Sequence, residues 1–224
     1  MNETTLSIDL DPTRRISAVL SGPTAGMESR DTGIVVAHGA ANDMHHPLIA
    51  AFTRGLSARG FWCLRFNFLY RENNRSSVDP EDRLIQAWCR AIETLKSETG
   101  KEKVIAAGKS LGARIAAQAA AEKAITPQGL IFLGYPLHAP GKKERLRDAP
   151  LYDITAPMLF FEGTRDPFCD LSLLNRVFSK MTAGRELMTI DNGDHGFTLP
   201  KTDPTPETAV WDRIIRIAAE WLLS

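Results

Sequence analysis

A serine stands at the centre of a pentapeptide with glycine at both ends, Gly108-Lys109-Ser110-Leu111-Gly112. A serine hydroxyl becomes a useful nucleophile only when a base takes its proton and its oxygen is held exposed. A sharp turn between a strand and a helix provides that exposure, and glycine suits the two positions where the backbones approach closely. The apolar run at residues 104–107 precedes the turn, and an alanine-rich, helix-like stretch follows it. The pattern predicts a nucleophilic Ser110, against the alternative of a glycine turn with an incidental serine.

The base that would activate Ser110 is expected to be a histidine later in the chain, because the order in this arrangement is serine, acid, histidine. Of the five histidines, His138 and His195 follow the serine. His195 lies in a turn-rich segment at residues 192–197, just after the last strand-like run. Loops at the carboxyl ends of parallel strands are where such sheets place their chemistry. We therefore predict His195 as the general base, with a solvated loop histidine as the alternative.

A carboxylate is needed to orient the histidine and to stabilise its protonated form. Asp166 follows the strand-like run at residues 158–161, which precedes the run that leads to His195, so the two loops can be neighbours. Three other aspartates compete for the role: Asp170, Asp191 and Asp194. Asp170 is expected to cap the next helix, and Asp194 is too close in sequence to reach around the histidine easily. Asp166 is therefore predicted as the acid.

Negative charge that develops on a carbonyl oxygen needs preorganised hydrogen-bond donors. The backbone N–H of Leu111, at the start of the predicted helix, is one candidate. The second is expected in the loop at residues 37–42, because a His-Gly pair after a buried strand is typical of oxyanion loops. Ala40 is predicted to supply that N–H. His38 is expected to be a structural hydrogen-bonding residue rather than a catalyst.

Further candidates are side chains that would line a substrate pocket. His138 follows a predicted strand, and Phe168 and Phe197 follow the predicted acid and base by two residues each. We expect His138, Phe168 and Phe197 to contact the substrate, with Met44 and Leu137 as further candidate walls. Packing in loops or in the core is the alternative explanation for all of them.

Two polar groupings have simpler explanations than a binding site. Asp43, His45 and His46 are metal ligands by residue type, but no second cluster completes a ligand set, and capping with solvation explains them better. We therefore expect neither a metal nor a cofactor. Positive charge also gathers near the predicted site, at Lys109, Arg165 and residues 142–148. It would favour an acidic substrate, yet a solvated face with internal ion pairs is the preferred interpretation.

The elements that must position these residues alternate between strand-like and helix-like runs. Residues 5–10 and 16–21 alternate apolar and polar side chains and are predicted to form half-exposed antiparallel strands. Further strands, several of them continuous apolar runs as in strands buried on both faces, are predicted at residues 33–37, 62–66, 104–107, 130–133, 158–161 and 186–190. Helices are predicted at residues 47–58, 80–97, 111–124, 171–181 and 208–223.

Strands that alternate with helices of this length imply crossover connections and a mostly parallel sheet. We expect about eight strands with helices on both faces, the first two strands forming an antiparallel edge. The segment at residues 136–158 is too short for a large cap domain, so the site should be fairly open. One α/β domain is predicted over residues 1–224.

The composition is that of an ordinary globular chain and argues against several classes of function. The 224 residues are 43% hydrophobic and 24% charged, and lysine plus arginine balance aspartate plus glutamate at 27 each. A net charge of zero gives no general attraction to nucleic acid or to acidic membranes. The sequence has no apolar run long enough to span a membrane and no signal-peptide pattern at its start. Three widely spaced cysteines fit a reducing compartment. We therefore expect a cytoplasmic protein with neither nucleic-acid nor membrane partners.

Six short motifs together resemble one branch of the α/β-hydrolases. They are His38-Gly39-Ala40, Arg65-Phe66-Asn67-Phe68, Gly108-Lys109-Ser110-Leu111-Gly112-Ala113-Arg114, Tyr135-Pro136-Leu137-His138, Leu146-Arg147-Asp148 and Gly163-Thr164-Arg165-Asp166-Pro167-Phe168. The set is similar to the KANL/testis-expressed branch, whose bacterial members are described as dienelactone-hydrolase-like. The resemblance implies the α/β-hydrolase fold and a triad of Ser110, Asp166 and His195 by position. It implies no substrate, and some eukaryotic relatives are subunits of chromatin complexes.

Two departures from the family pattern bear on function. Ala41-Asn42 stand where Gly-Gly is expected after the oxyanion residue, which leaves the second oxyanion donor open. True dienelactone hydrolases use cysteine as the nucleophile, so Ser110 argues against that particular activity. We therefore expect a serine hydrolase, monomeric or homodimeric, that cleaves small carboxylic esters or thioesters. A binding or scaffold protein on the same fold, and an acyltransferase that uses an acceptor other than water, remain the alternatives.

Overall fold

One sheet of eight strands forms the centre of the computed structural model, which describes residues 2–224. In chain order the strands are β1 (Glu3–Asp11), β2 (Arg14–Ser21), β3 (Thr32–Ala37), β4 (Trp62–Phe66), β5 (Lys103–Lys109), β6 (Gly129–Leu133), β7 (Met158–Gly163) and β8 (Arg185–Ile190). Their order across the sheet is β1-β2-β4-β3-β5-β6-β7-β8. The pairs β1·β2 and β2·β4 are antiparallel, and the other neighbours are parallel. The predicted mostly parallel sheet with an antiparallel edge is confirmed.

Helices cover both faces of this sheet, as predicted. They are α1 (Pro47–Ser57), α2 (Leu69–Glu72), α3 (Glu81–Thr99), α4 (Leu111–Ala121), α5 (Ala149–Asp153), α6 (Leu171–Phe178) and α7 (Glu207–Trp221). On one face, Phe52 of α1 and Ile214 of α7 share a core with Val36 of β3. On the other face, Trp88 of α3 shares a core with Val35 of the same strand. Neighbouring residues of β3 thus enter opposite cores, which explains why its sequence is continuously apolar.

Helix ends differ from the predicted bounds by a few residues, and two short helices escaped prediction. Pro80 is the N-cap of α3 rather than its first residue. α4 ends at Ala121, before the expected residue 124, and Lys123 adopts a left-handed φ of 59° just beyond it. α2 and α5 contain four and five residues. Segments of that length are too short for a 3.6-residue period to show in the sequence.

The prediction that β2 is half-exposed was wrong. Its last four residues, 18–21, are all buried. β2 pairs with β4 as well as with β1, and the Ser57 hydroxyl of α1 donates to the Ser21 carbonyl at 3.0 Å. β2 is therefore an interior strand covered by a helix. β1 is the true edge and keeps the alternation, with Ile8 and Leu10 buried between exposed residues.

The carboxyl ends of the parallel strands meet at one edge of the sheet. The loops that leave β3, β5, β7 and β8 at this edge carry Ala40, Ser110, Asp166 and His195, respectively. Between β6 and β7 the chain forms α5 and no cap domain, so this edge is left uncovered by any inserted layer. Within residues 2–224, no helix has both the length and the apolar character required to cross a membrane.

Candidate active site

Ser110 sits in a strained turn between β5 and α4. Its φ is 54° and its ψ is −110°, a conformation that non-glycine residues rarely adopt. A Cβ on Gly108 would lie 2.4 Å from the Ala113 nitrogen, and a Cβ on Gly112 would lie 2.6 Å from the Ala37 carbonyl oxygen. Neither position has room for a side chain. The two glycines therefore permit the bend that lifts Ser110 out of the sheet.

The structure brings three of the predicted residues into contact. The Nε2 atom of His195 lies 2.8 Å from the Ser110 hydroxyl oxygen, and its Nδ1 atom lies 2.6 Å from a carboxylate oxygen of Asp166. These side chains come from positions that are 85 and 29 residues away from His195. The Asp166 side chain is fully buried, whereas that of His195 is 19% exposed. The imidazole is thus partly accessible to solvent, while the carboxylate that it contacts is shielded from solvent.

Asp166 has its second oxygen occupied by its own loop. Oδ1 accepts a hydrogen bond from the Phe168 N–H at 2.7 Å, which leaves Oδ2 for the histidine. Two of the three competing aspartates have other roles. Asp170 caps α6 by accepting from Ser172 N–H, as predicted, and Asp194 accepts from Gly196 N–H within the loop of the histidine. The geometry therefore singles out Asp166 among the candidate acids.

The loop after β3 is held by hydrogen bonds that orient the Ala40 peptide nitrogen. The Gly39 carbonyl accepts from His38 Nδ1 at 2.8 Å and from Asn42 N–H at 3.2 Å. Because that carbonyl and the Ala40 N–H belong to one planar peptide, fixing the oxygen also fixes the N–H in the opposite direction. The Tyr70 hydroxyl donates to the Ala40 carbonyl at 2.9 Å and fixes the next peptide.

This loop lies against the nucleophile. A Cβ on Gly39 would lie 3.4 Å from the Ser110 Cβ. Leu111 is the first residue of α4, and the first N–H groups of a helix have no partner within it. The Leu111 N–H, which follows Ser110, and the Ala40 N–H, which follows Gly39, are thus the two candidate donors to an oxyanion.

His38 is structural, as the sequence indicated. Its ring is fully buried, Nδ1 donates to the Gly39 carbonyl, and Nε2 accepts from Phe68 N–H at 3.1 Å. Burial lowers the pKa of His38 to about 4, so the ring is neutral near pH 7. Both ring nitrogens serve to join the loops that follow β3 and β4.

The three predicted pocket residues differ in their placement. Phe168 is partly exposed, and its ring centre lies 4.4 Å from that of His195. His138 is 1% exposed, and both of its ring nitrogens are engaged, one with the Ala139 carbonyl and one with the Asp170 N–H. Phe197 is fully buried in the core. The packing alternative is therefore favoured for His138 and Phe197, and Phe168 is the one of the three with surface beside the histidine.

Met44 and Leu137, the further candidate walls, are also buried, at 3% and 0% exposure. The polar residues Asp43 and His45 form a local turn in which the Asp43 carboxylate accepts from His45 N–H at 2.8 Å. Across residues 2–224, no group of three or more His, Cys, Asp or Glu side chains is arranged to bind a metal ion.

Two buried ionisable groups beneath the serine were not anticipated. Lys109 was assigned to a solvated face, but it is 4% exposed, and its Nζ donates to the backbone carbonyl of His195. Glu162 is completely buried, with one oxygen accepting from Tyr135 N–H at 2.6 Å and the other without a partner in the described structure. Burial lowers the pKa of Lys109 to about 8. Burial, together with the charge of Asp166, raises the pKa of Glu162 well above its ordinary value.

The sequence contained a signal for both groups. Lys109 is the last residue of β5, and Glu162 follows the apolar run at residues 158–161 within β7. Both positions belong to central strands whose two faces are covered by helices, so a side chain there is buried whichever face it takes. The sequence-based interpretation placed Lys109 on a solvated face because of its charge, whereas its position in a central strand indicated burial.

The chain matches a protein-family model and is similar to several solved structures. A family model described as an alpha/beta hydrolase domain matches residues 30–223 of the chain. Similar solved structures include an α/β serine hydrolase without lid from Xanthomonas campestris, at 21% identity and a TM-score of 0.71 over 88% of this chain and 87% of that chain. A dienelactone hydrolase from Anabaena variabilis has 21% identity and a TM-score of 0.76 over 99% and 97% of the two chains. Est1E from Butyrivibrio proteoclasticus has 14% identity and a TM-score of 0.74 over 98% and 99%. At these identities the likeness is one of fold.

Proposed function

Because the chain belongs to the α/β-hydrolase family, we propose that it is a serine hydrolase that cleaves small carboxylic esters or thioesters. The observation that carries this proposal is the continuous chain of contacts from Ser110 through His195 to Asp166, at 2.8 and 2.6 Å. The contacts have the lengths of hydrogen bonds, and they run from a partly buried serine to a fully buried carboxylate. That is the arrangement that a base-activated serine requires.

In the proposed mechanism, Ser110 attacks the acyl carbon while His195 Nε2 takes the hydroxyl proton. Asp166 keeps the proton of the imidazole on Nδ1 and stabilises the imidazolium that forms. His195 then gives its proton to the leaving alcohol or thiol, and an acyl-enzyme on Ser110 remains. A water molecule, deprotonated by the same histidine, attacks the acyl-enzyme; the histidine returns that proton to the Ser110 oxygen as the acid is released.

The oxyanion of each tetrahedral intermediate would be held by two backbone N–H groups. Leu111 N–H lies at the positive end of α4, which favours negative charge there. Ala40 N–H is preorganised, because the Gly39 carbonyl of the same peptide is held by His38 and Asn42. These hydrogen bonds hold the loop in place although Ala41-Asn42 stand where the family pattern has Gly-Gly.

The openness of the site supports the proposed small substrates. No cap covers the carboxyl edge of the sheet, and the solved structures that the chain resembles include a serine hydrolase without lid. Phe168 offers an apolar surface beside His195 for a small acyl or alcohol group. Small, accessible esters or thioesters fit this shape. Membership of the KANL/testis-expressed branch and a monomeric or homodimeric state remain part of the proposal.

Labelling with a fluorophosphonate probe tests the nucleophile directly. The wild-type protein should be labelled, and Ser110→Ala should lose the label, because the probe forms a covalent bond only with an activated serine. Ser179→Ala is the matched control, since Ser179 is exposed and bonds only its own helix carbonyl at 2.8 Å; it should label like the wild type. Equal labelling of wild type and Ser110→Ala would contradict the proposal.

A series of p-nitrophenyl esters of increasing acyl length then tests the reaction. Turnover should be highest for the shortest esters and should depend on Ser110. Turnover no higher than that of Ser110→Ala across the whole series would favour a binding or scaffold role. Products formed with added alcohols or amines would instead indicate acyl transfer.

A further inference from the structure

Lys109 connects the serine to the histidine by a second route. It directly precedes Ser110 in the chain, and its Nζ donates a hydrogen bond to the backbone carbonyl of His195. The Ser110 hydroxyl meets the same histidine through Nε2 of the ring, at 2.8 Å. Two adjacent residues, Lys109 and Ser110, thus each contact His195, one at its backbone and the other at its ring. The position of the imidazole relative to the hydroxyl therefore depends on both contacts.

The ammonium of Lys109 is in an unusual place for a lysine. The residue is 4% exposed, its hydrogen bond goes to a carbonyl rather than to a carboxylate, and its Nζ lies 5.3 Å from the centre of the Phe197 ring. Lysine is almost never fully buried unless its charge is paired, since desolvation of an ammonium is costly. Leucine or methionine would fill the same space without that cost. The burial thus points to a use for the charge.

Charged and titratable groups face Lys109 from the loop before α1, from β7 and the loop after it, and from the loop after β8. They are His46, Glu162, Asp166, Asp194 and His195. Among the carboxylates, Asp166 acts most strongly on the Lys109 charge. Glu162 is held towards its neutral form by burial, which raises its pKa. The ammonium therefore offsets the charge of Asp166 while the imidazole is neutral.

We propose that Lys109 is a positioning residue for the histidine: its charged form holds the His195 carbonyl and balances Asp166, and loss of its proton loosens the base. This inference rests on the proposed function, because it gives Lys109 a part in the same reaction. Lys109 does not touch the reacting atoms. It acts through the backbone of His195.

The pH dependence of catalysis tests this role, because burial lowers the pKa of Lys109 to about 8. For the wild type, kcat/KM with p-nitrophenyl acetate should fall as the pH rises through about 8, where the ammonium becomes a neutral amine. Lys109→Met keeps an unbranched apolar side chain that is one atom shorter, and removes the charge. We expect its kcat/KM at pH 7 to be lower by about tenfold or more, since small displacements of a catalytic base are costly. Its profile should show no further fall near pH 8.

Two further variants separate charge from packing. Lys109→Arg keeps its charge at high pH, so it should restore part of the rate and shift the alkaline fall beyond the measured range. Lys143→Met is the matched control, because Lys143 is an exposed lysine paired with Asp170 at the same edge of the sheet. It should keep the wild-type rate and the wild-type fall. Rates of Ser110→Ala at each pH supply the background.

The outcomes distinguish this inference from the proposed function. If Lys109→Met keeps the wild-type rate and profile, the positioning role is refuted while the serine hydrolase stands. A wild-type kcat/KM that stays constant up to about pH 10 refutes it as well, even if Lys109→Met fails to fold. If the wild type shows neither Ser110-dependent turnover nor Ser110-dependent labelling, the proposed function itself fails.

Discussion

Two clusters of ionisable residues, each of which includes buried side chains, occupy opposite parts of the sheet and are built differently. The edge cluster consists of Glu3 of β1, Arg54 of α1 and Arg65 of β4. The site cluster consists of Lys109, Glu162 and Asp166, below the serine and histidine. Arg65 and all three residues of the site cluster are buried, whereas the Arg54 and Glu3 side chains are 51% and 26% exposed. The two clusters differ in how their ionisable groups are paired.

In the edge cluster, charges meet opposite charges. Arg65 is 2% exposed, and its guanidinium bonds the Glu3 carboxylate at 2.9 Å and the Thr53 hydroxyl at 3.1 Å. Glu3 also pairs with Arg54 at 3.0 Å. The Arg54 hydrogen bond is the main cause of a Glu3 pKa lowered to about 2. Pairing here favours the charged forms, so the cluster ties the edge strand to β4 and α1.

In the site cluster, burial shifts pKa values towards the neutral forms. The pKa of Lys109 falls to about 8 and the pKa of Glu162 rises well above its ordinary value. Their hydrogen bonds go to backbone groups, the His195 carbonyl and the Tyr135 N–H. One cluster is thus arranged for stability, whereas the other holds Lys109, whose charge changes at about pH 8, as active sites often do.

The largest effect is expected when the site cluster loses the charge of Asp166. In Asp166→Asn, the Phe168 N–H would still donate to the amide oxygen, so the amide nitrogen would face His195 Nδ1. The imidazole would then carry its proton on the wrong nitrogen, and kcat should fall by about 10³-fold or more. The melting temperature should change little, because the side-chain shape is kept. Near-wild-type ester turnover in this variant would contradict the assignment of Asp166.

A second, intermediate effect is expected at the edge cluster. Glu3→Gln leaves the buried Arg65 without its carboxylate, so unfolding at pH 7 should require about 2 kcal/mol less free energy, while ester turnover is unchanged. Because the folded-state pKa of Glu3 is lowered from 4.5 to about 2, its contribution is present above pH 4.5 and is lost as the pH falls through this window. Urea unfolding at several pH values measures both.

The matched control for that experiment is Asp9→Asn on the same strand. Asp9 pairs with Arg15, but these side chains are 64% and 71% exposed. Exposed pairs contribute little, so Asp9→Asn should differ from the wild type by at most about 0.5 kcal/mol. If the two variants lose equal stability at pH 7, or if the Glu3 effect persists unchanged at about pH 2, the contrast between buried and exposed pairs is wrong here.

The smallest effect is expected for Glu162→Gln, and its pH slope should have the opposite sign to that of Glu3. Because the folded-state pKa of Glu162 is raised, the wild type loses stability as the pH rises above 4.5 towards that raised value. Glutamine cannot ionise. The variant should therefore match the wild type at about pH 5 and become more stable than it at about pH 9, by less than about 1 kcal/mol. A variant that becomes less stable than the wild type at high pH would show that the carboxylate is needed in its charged form.

The parts of the candidate site that were predicted depend on local sterics and on chain order. The Gly108 and Gly112 spacing indicated the turn around Ser110, because those residues contact backbone directly. Asp166 and His195 were identified by which strand each one follows. The mostly parallel sheet and its coverage by helices followed from strand-like runs that alternate with helix-like runs.

Other parts could not be predicted because they depend on which way a side chain points within the packed layers. Lys109 bonds to a residue 86 positions away in the chain, and its burial is unusual for a charged side chain. His138 and Phe197 follow strands at the correct edge but turn into the interior. β2 alternates like an edge strand although a further strand and a helix cover it.

The sequence by itself determined the strand-turn-helix around Ser110, the order of the strands that carry Asp166 and His195, and the character of the sheet. These features arise from backbone sterics and from periodicity, which act over a few residues. Only the tertiary structure decided the distances of 2.8 and 2.6 Å within the site and the burial of Lys109 and Glu162. Those depend on how separate loops pack at one edge of the sheet, where burial shifts the pKa values of Lys109 and Glu162 towards the neutral forms.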